Sequence, residues 1–267
     1  MRGRLALGRA PLRSAATGLV AIVAVSALLH AADAQGPPPA RQEPPITPRA
    51  AAPIDLTGYW VSIVNEDWRW RMITPVKGDA VGVPLSAKGR EVANAWNPAT
   101  DGSCLAYGAA GIMRMPTRLR ITWETDTILK IETDAGVQVR RLIFGKPLPS
   151  TRHTLQGQSA AEWERSTVGS GFLGIGPPGP PAPGGSLKVV TTGLTAGWLR
   201  KNGVPYSEKT VVTEHFDRFP VPDGTEWFVV TTQVDDPTYL TGPFVTSSHF
   251  RREADGSKWR PQACKSS

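Results

Sequence analysis

Long apolar runs are scarce in this 267-residue chain, and the one at its start is short. The stretch Ala15–Leu29 has 15 residues, fewer than the roughly 20 that a helix needs to cross a bilayer. It follows a basic start and precedes Ala32-Asp33-Ala34, a small-x-small pattern that signal peptidase accepts. We predict a signal peptide over residues 1–34 rather than a transmembrane anchor. The mature protein is then periplasmic or secreted, with no membrane span after leader removal.

Cysteine is nearly absent, since the chain has only Cys104 and Cys264. The chain contains no CxxC motif and no histidine close to either cysteine in the sequence, which disfavours the alternative of a metal pair. Both cysteines lie in the part expected to be exported, where an oxidising compartment and an even count favour a disulfide. We expect this bond to close a loop of about 160 residues and to pin the C-terminal tail to the domain.

Clusters of basic residues are also missing. Leader removal takes away four basic residues and one acidic residue, which lowers the formal net charge from +7 to +4. Basic pairs occur at Arg140-Arg141, Arg200-Lys201 and Arg251-Arg252, but no basic cluster is interleaved with aromatic residues. Nucleic acid is therefore not an expected partner.

Large apolar residues are rare directly after the leader. Residues 35–53 contain seven prolines, so we expect an extended linker there. Residues 54–267 have a suitable length for one β-barrel domain.

Within this domain, residues 169–185 hold seven glycines and five prolines around Phe172, Leu173 and Ile175. A loop of this kind is either a functional lid or a plain insertion.

Strand signals dominate the domain. Arg118–Glu124 alternates apolar and polar residues, and turns lead to two further strands, so we expect a three-stranded antiparallel meander. Ser86 is expected to cap one helix over Ala87–Trp96. Helices do not alternate with strands, which disfavours a parallel sheet. The expected strands are Trp60–Val64, Asp67–Ile73, Arg118–Glu124, Ile128–Thr133, Val137–Phe144, Leu187–Leu194, Glu208–Phe219, Glu226–Val234 and Phe244–Arg252. The fold class is therefore all-β, an antiparallel barrel of about nine strands with one short helix.

The domain starts with Asp55–Trp60, whose sequence is D-L-T-G-Y-W. With further segments it resembles a widespread group of secreted bacterial proteins of uncharacterised function that begin with a D-L-(S/T)-G-x-W motif. This chain has Gln158 and Tyr206 where the group often has histidine. The other matching segments are Pro84–Arg90, Cys104, Gln156–Ser159, Glu162–Glu164, Gly185–Thr192, Gly203–Glu208, Val212–Glu214 and Asp235–Pro243.

Gly58-Tyr59-Trp60 also resembles the G-x-W signature of lipocalins. In that family the tryptophan closes one end of the barrel, and an arginine from the last strand stacks on it. The resemblance implies that Arg251 or Arg252 has this part here. It also implies a lipocalin-like barrel with a cavity, and it supplies no established activity.

Tryptophan and arginine alternate over Trp68-Arg69-Trp70-Arg71. On a strand, both indoles would point to one face and both guanidinium groups to the other. One interpretation is a pocket wall that offers flat apolar surface or a cation lining. The other is an ordinary half-buried strand with core on one face and solvent on the opposite face.

Histidine is rare, with four in the chain. His215 and Asp217 share one face of a predicted strand, Glu214 lies on the opposite face, and His249 lies on another strand. If the two histidines meet Asp217 in a cavity, they form a candidate acid/base pair or part of a metal site. The alternative is that they are surface residues, because no ligand spacing is present. Our candidate catalytic residues are Glu214, His215, Asp217 and His249.

Two common catalytic or cofactor motifs are missing. Neither Ser159 nor Ser207 lies in G-x-S-x-G, so a serine nucleophile is not expected. Gly174-x-Gly176 lacks the strand-to-helix context of a nucleotide cradle, and nearby prolines remove backbone donors. We expect no cofactor and assign no metal ligands.

Three functions remain open. The first is an exported barrel that binds a small apolar or amphipathic molecule. The second is a barrel enzyme, an isomerase, hydratase or hydrolase, that uses general acid/base chemistry. The third is an envelope interaction module without a cavity. The candidate ligand-binding residues are Trp68, Trp70, Arg120, Trp123 and Tyr206.

Overall fold

The structure is a computed structural model that describes residues 45–102, 104–147, 152–165 and 184–264. The predicted signal peptide, the linker as far as residue 44 and the Gly/Pro-rich loop as far as residue 183 lie outside the described residues. The described residues from Ile46 onward belong to one compact unit. Residues 46–53, which the sequence analysis assigned to the linker, therefore belong to the same unit as the barrel.

Strands make up most of the described chain. They are β1 (Gly58–Ile63), β2 (Arg118–Thr125), β3 (Ile128–Thr133), β4 (Ala135–Gly136), β5 (Val139–Phe144), β6 (Gln158–Arg165), β7 (Gly185–Thr192), β8 (Gly197–Arg200), β9 (Val204–Tyr206), β10 (Val211–Pro220), β11 (Glu226–Asp235), β12 (Phe244–Glu253) and β13 (Gln262–Ala263). The helices are α1 (Trp68–Arg71), α2 (Ala87–Ala95) and α3 (Ala109–Ile112), with single 3₁₀ turns at Pro98–Thr100 and Leu105–Tyr107. None of the described helices is long and apolar enough to cross a membrane.

Nine of these strands close into a barrel in the order β1-β12-β11-β10-β7-β6-β5-β3-β2, with β2 paired back to β1. The predicted barrel of about nine strands is confirmed, but the prediction that all strands are antiparallel is wrong. β5 and β6 run parallel. Strand direction cannot alternate all the way around a ring with an odd number of members, so a nine-stranded barrel needs at least one parallel pair.

One predicted strand is absent, and one barrel strand was not predicted. Residues 67–73 form α1 and a turn instead of the expected strand Asp67–Ile73. β6 was missed because its inward positions begin with Ser159 and Ala161, which are too small to give a clear apolar alternation. The absent strand and the missed strand cancel in the total, so the predicted and observed numbers of barrel strands agree.

Local signals predicted other elements correctly. β2, β3 and β5 form the expected antiparallel meander. Helix α2 begins after Ser86, whose Oγ accepts a hydrogen bond of 3.1 Å from the N–H of Gly89. This contact satisfies one of the amide groups that the first turn of a helix leaves without a partner.

Aromatic side chains fill much of the barrel interior. Every second residue of a strand points inward, and Trp60, Phe216, Phe228 and Phe250 are all fully buried. Trp60 meets Phe228 edge to face with ring centroids 4.7 Å apart, and Phe228 stacks on Phe250 at 4.9 Å. The rings contribute large apolar areas to the core and occupy the space that a central ligand would need.

The predicted disulfide joins Cys104 and Cys264, with Cα atoms 5.2 Å apart. It holds the C-terminal tail against the turn between β3 and β5. There, β13 pairs with β4, and the N–H of Gln262 donates to the carbonyl of Asp134 at 2.7 Å.

Candidate functional site

The barrel has two different ends. β1 begins and β2 and β10 finish at the end that we call the cleft end. At the opposite end, the helix end, the three helices and the β8–β9 hairpin pack over the strand termini. The five candidate ligand-binding residues and the four candidate catalytic residues are distributed over both ends and over both faces of the barrel wall.

Glu214 points into the barrel, between the inward-facing Val212 and Phe216. Its two carboxylate oxygens accept hydrogen bonds of 3.0 and 2.5 Å from the terminal nitrogens of Arg140. Arg140 also donates to Thr191 at 3.4 Å, and the Thr191 hydroxyl lies 2.8 Å from the hydroxyl of Ser159. The carboxylate therefore has a buried cationic partner on β5, three strands away around the barrel.

His215 and Asp217 lie on the outer face of the same strand, as the alternation of β10 predicted. The Nδ1 atom of His215 is 3.2 Å from the Glu164 carboxylate. Partial burial raises the pKa of Asp217. The charge of Glu164 also raises this pKa, while that of His215 lowers it. These residues form an outer-face charge cluster that also includes Lys188.

His249 is outward-facing on β12, and its Nδ1 atom is 3.2 Å from the Glu66 carboxylate. In the sheet, Asp217 and His249 are both opposite Val229 of the intervening β11. Two strand spacings separate the two backbones by about 10 Å. The structure therefore does not bring His215, Asp217 and His249 together inside the barrel, and Glu214 is on the other side of the wall.

Trp68 and Trp70 do not form one face of a strand, because they lie on α1. Successive helical residues are rotated by about 100°, so residues two apart point in nearly opposite directions. Trp68 is exposed, while Trp70 lies beneath Arg200 with 4.9 Å between the guanidinium carbon and the ring centroid. Burial, with nearby Arg114 adding to it, lowers the pKa of Arg200 to about 10.

Two other candidate ligand residues are also away from a cavity. Arg120 is on the outer face of β2, where both of its bonds to Glu132 measure 2.7 Å. Hydrogen bonding to Glu132 raises the pKa of Arg120 above its ordinary value. Tyr206 is fully buried in the hydrophobic cluster at the helix end, and this burial raises the pKa of its hydroxyl.

Trp123 is the candidate ligand residue that reaches the cleft end. It is the last inward-facing residue of β2 before a register shift, and Phe144 and Trp163 occupy the corresponding ends of β5 and β6. The centroid of Phe144 is 5.5 Å from that of Trp123 and 5.1 Å from that of Trp163. The three rings form an aromatic cluster at this opening.

The segment from residue 46 to residue 57 crosses the cleft end. The indole N–H of Trp163 donates to the carbonyl of Pro48 at 2.8 Å, and Arg165 donates to the carbonyl of Ala51 at 2.8 Å. The Trp60 indole donates to the carbonyl of Leu56 at 2.9 Å. Between this segment and the barrel wall is an open cleft of about 740 Å³, lined among others by Arg49, Pro53, Ile54, Asp55, Trp123 and Arg218.

Two arginines at the cleft end share one carboxylate. Arg218 and Arg252 both pair with the single carboxylate of Glu226. Arg252 also lies over the Trp60 ring with 5.6 Å between its guanidinium carbon and the ring centroid. This is the contact that the G-x-W resemblance implied, and it is made by Arg252 rather than Arg251.

Arg140 and Arg218 were not among the predicted site residues, although the sequence contains a signal for both. Arg140 is in phase with Leu142 on β5, and Arg218 is in phase with Phe216 on β10. A basic residue at an inward position of a predicted strand is unusual and marks a buried ion pair or a binding site. No sequence signal predicted that residues 46–57 would cross the barrel end.

The fold and the cleft define a closed, mixed β-barrel with an opening at one end that is lined by an aromatic residue, two arginines and an aspartate. Comparisons with protein-family models, curated proteins and solved structures found no match for this chain.

Proposed function

We propose that this chain is an exported protein that binds a small amphipathic anion in the cleft at the cleft end. The observation that carries the proposal is the combination of an aromatic wall and arginines in one opening of about 740 Å³. Small-molecule sites usually have volumes of about 300–1,000 Å³ and join apolar surface to a few polar anchors. The Cys104–Cys264 disulfide is compatible with the oxidising compartment that the proposal requires.

The apolar part of the ligand would contact Trp123 and Ile54. Trp123 packs against Phe144 and Trp163. Trp123 and Ile54 both pack against the hydrophobic core of the barrel. Rigid aromatic surface loses little conformational entropy on binding, which favours a flat or chain-like apolar group here.

The anionic part would be held by Arg218 and Arg49. Since Arg218 shares Glu226 with Arg252, the three side chains have a net charge of +1. Arg49 is exposed, and its nearest carboxylate is Asp126 at 3.7 Å. Asp55 also lines the cleft, but its Oδ1 already accepts hydrogen bonds of 2.9 and 2.8 Å from Thr57.

A ligand at the barrel end also agrees with the packing of the interior. The lipocalin resemblance implied a cavity inside the barrel, whereas Trp60 and three phenylalanines occupy the middle of this barrel. The acid/base alternative requires titratable groups that converge on one cavity, and the four candidate residues are divided between the two faces of the wall.

The proposal can be tested by isothermal titration calorimetry on the chain from residue 35 onward, with octanoate and 1-octanol as a charged and a neutral probe of equal chain length. We expect octanoate to bind more tightly. Arg218→Met should weaken octanoate binding about tenfold, which is the loss of one charge-assisted contact, and should leave octanol binding within about twofold. Trp123→Leu should weaken the binding of both probes.

Trp68→Leu is the matched control because it removes an indole at the opposite end of the barrel. It should change neither affinity. If Trp123→Leu and Trp68→Leu have the same effect, or if Arg218→Met weakens both probes equally, the cleft is not the binding site. Native mass spectrometry of the protein from its own compartment would identify a retained ligand.

A further inference from the structure

A second surface, at the helix end, exposes apolar side chains on an ordered segment. We call residues 68–81 the apolar loop. Five of its large apolar residues are more than half exposed: Trp68 at 63%, Met72 at 56%, Ile73 at 60%, Val76 at 75% and Val81 at 64%. Isolated exposed apolar residues are common, but five within fourteen residues of one segment mark an interaction surface.

Buried side chains hold the backbone of the apolar loop in place. Asn202 donates from Nδ2 to the carbonyls of Val76 and Asp79, at 2.9 and 3.0 Å. Arg200 donates to the carbonyl of Val81 at 2.8 Å. Both donors are buried and belong to the β8–β9 hairpin, which holds the loop backbone while the five apolar side chains remain exposed.

Three acidic groups beside the apolar loop are paired, and cations remain at its surface. Glu66 pairs with Arg71 at 2.9 Å, Asp67 with Arg114 at 3.0 Å and Asp79 with Arg69 at 3.0 Å. Lys77, in the middle of the loop, is exposed and has no ion pair among the described residues. Arg90 is exposed beside Gly78 and Val81, while Lys88 and Glu91 are also exposed on α2.

We propose that the apolar loop inserts into the interface of an anionic lipid bilayer. A tryptophan and aliphatic side chains on a protruding segment, flanked by lysine and arginine, match both the apolar and the charged layers of such a surface. The apolar side chains would enter the headgroup region, while Lys77 and Arg90 contact anionic headgroups. The protein would then lie on the membrane with its cleft end facing away. This surface is independent of the proposed cleft, which is at the other end of the barrel.

The test is flotation of the chain from residue 35 onward with vesicles of phosphatidylglycerol and phosphatidylcholine, or of phosphatidylcholine alone. We expect stronger binding to the anionic vesicles. Ile73→Ser with Val76→Ser should lower partitioning at least about tenfold, because interfacial binding scales with buried apolar area. Lys77→Glu should weaken binding to the anionic vesicles and have little effect on the neutral ones.

The matched control is Ile46→Ser with Phe219→Ser, which removes two exposed apolar residues outside the loop. It should bind within about twofold of the parent protein, as expected if binding area is confined to the loop. A fluorescent NBD label on Val76→Cys should brighten with vesicles, while the same label on Ile46→Cys should not. Circular dichroism verifies that each variant is folded.

Three results would overturn the proposal. The first is equal binding by the Ile73/Val76 serine variant and the parent protein. The second is binding that does not depend on phosphatidylglycerol. The third is a concentration-dependent dimer, seen by sedimentation equilibrium without vesicles and lost in the serine variant, because it would assign the loop to a second copy of the chain.

Discussion

Arg140 and Glu214 form a two-point ion pair inside the barrel, with side-chain exposures of 1% and 0%. Thr191 and Ser159 extend the contact as a short hydrogen-bonded chain. The pair lies between aromatic rings and aliphatic side chains of the same core. Both groups are shielded from bulk solvent, so each charge is compensated mainly by its partner.

Removing one member of this pair should be more damaging than removing both. Arg140→Met or Glu214→Leu should lower the free energy of unfolding by about 3–5 kcal/mol, because each leaves a buried charge without its partner. The double variant should lose much less. Urea unfolding followed by tryptophan fluorescence measures all three.

The neighbouring Arg141 gives the matched control, since it pairs with Glu124 on the exposed outer face. Arg141→Met should cost less than about 1 kcal/mol. If Arg140→Met costs no more than Arg141→Met, the interior pair is not the structural element described above.

The disulfide should stabilise the barrel mainly by limiting the unfolded chain. Cys104 and Cys264 are 160 residues apart, and the chain-entropy relation gives about 4–5 kcal/mol for a loop of that size. Cys104→Ser with Cys264→Ser should lower the free energy of unfolding by this order. Addition of a reductant should lower the stability of the parent protein similarly and leave that of the double variant unchanged. A further loss in the double variant would show that the reductant acts elsewhere.

Gly203 combines a left-handed backbone with a close neighbour. Its φ is +77°, and a Cβ atom there would lie 2.2 Å from the ring of Trp96. Gly193 has a similar φ of +68° with nothing within 4 Å of the same position. Gly193→Ala should therefore cost about 1–2 kcal/mol of stability from backbone strain alone.

Gly203→Ala should cost at least about 2 kcal/mol more than Gly193→Ala, because overpacking forces Trp96 out of place. Thermal and urea unfolding of the two variants measure the difference. Equal losses would mean that Trp96 can move without cost.

Asp236 should make stability depend on pH in the acid range. Burial acts to raise its pKa, but hydrogen bonds from the Ser207 N–H, the Thr210 hydroxyl and the backbone N–H groups of Thr238 and Tyr239 outweigh burial and lower the pKa. A lowered pKa in the folded state means that its stabilisation is present above the unfolded value of about 4 and is lost as pH falls through the folded value.

Asp236→Asn should thus lower stability at pH 7, because an amide N–H₂ group faces donors where a carboxylate oxygen accepted them. It should also reduce the fall in stability on acidification from about pH 5 to about pH 2. Asp126→Asn is the control for an exposed carboxylate, with a side-chain exposure of 59%. If Asp236→Asn loses as much stability as the parent protein between about pH 5 and about pH 2, Asp236 is not the source of the acid dependence.

Sequence patterns predicted the parts of this protein that depend on neighbouring residues. The alternation in Arg118–Glu124 identified β2, and Ser86 identified the start of α2. The prediction of a strand over residues 67–73 was wrong. An alternating Trp-Arg pattern fits a half-buried strand, but here Arg71 and Trp70 contact residues outside the segment. These partners are the Glu66 carboxylate and the guanidinium of Arg200.

The sequence by itself determined the all-β class, eight of the nine barrel strands and the cysteine pair, because strand periodicity and residue counts are local or global properties that need no pairing information. Only the tertiary structure decided that β5 and β6 are parallel, that Glu214 faces Arg140, and that residues 46–57 form one side of the cleft. Alternation along a strand distinguishes two faces but does not say which strand lies beside it or which segment covers the barrel end. Those choices follow from closing the ring and burying its charges in pairs.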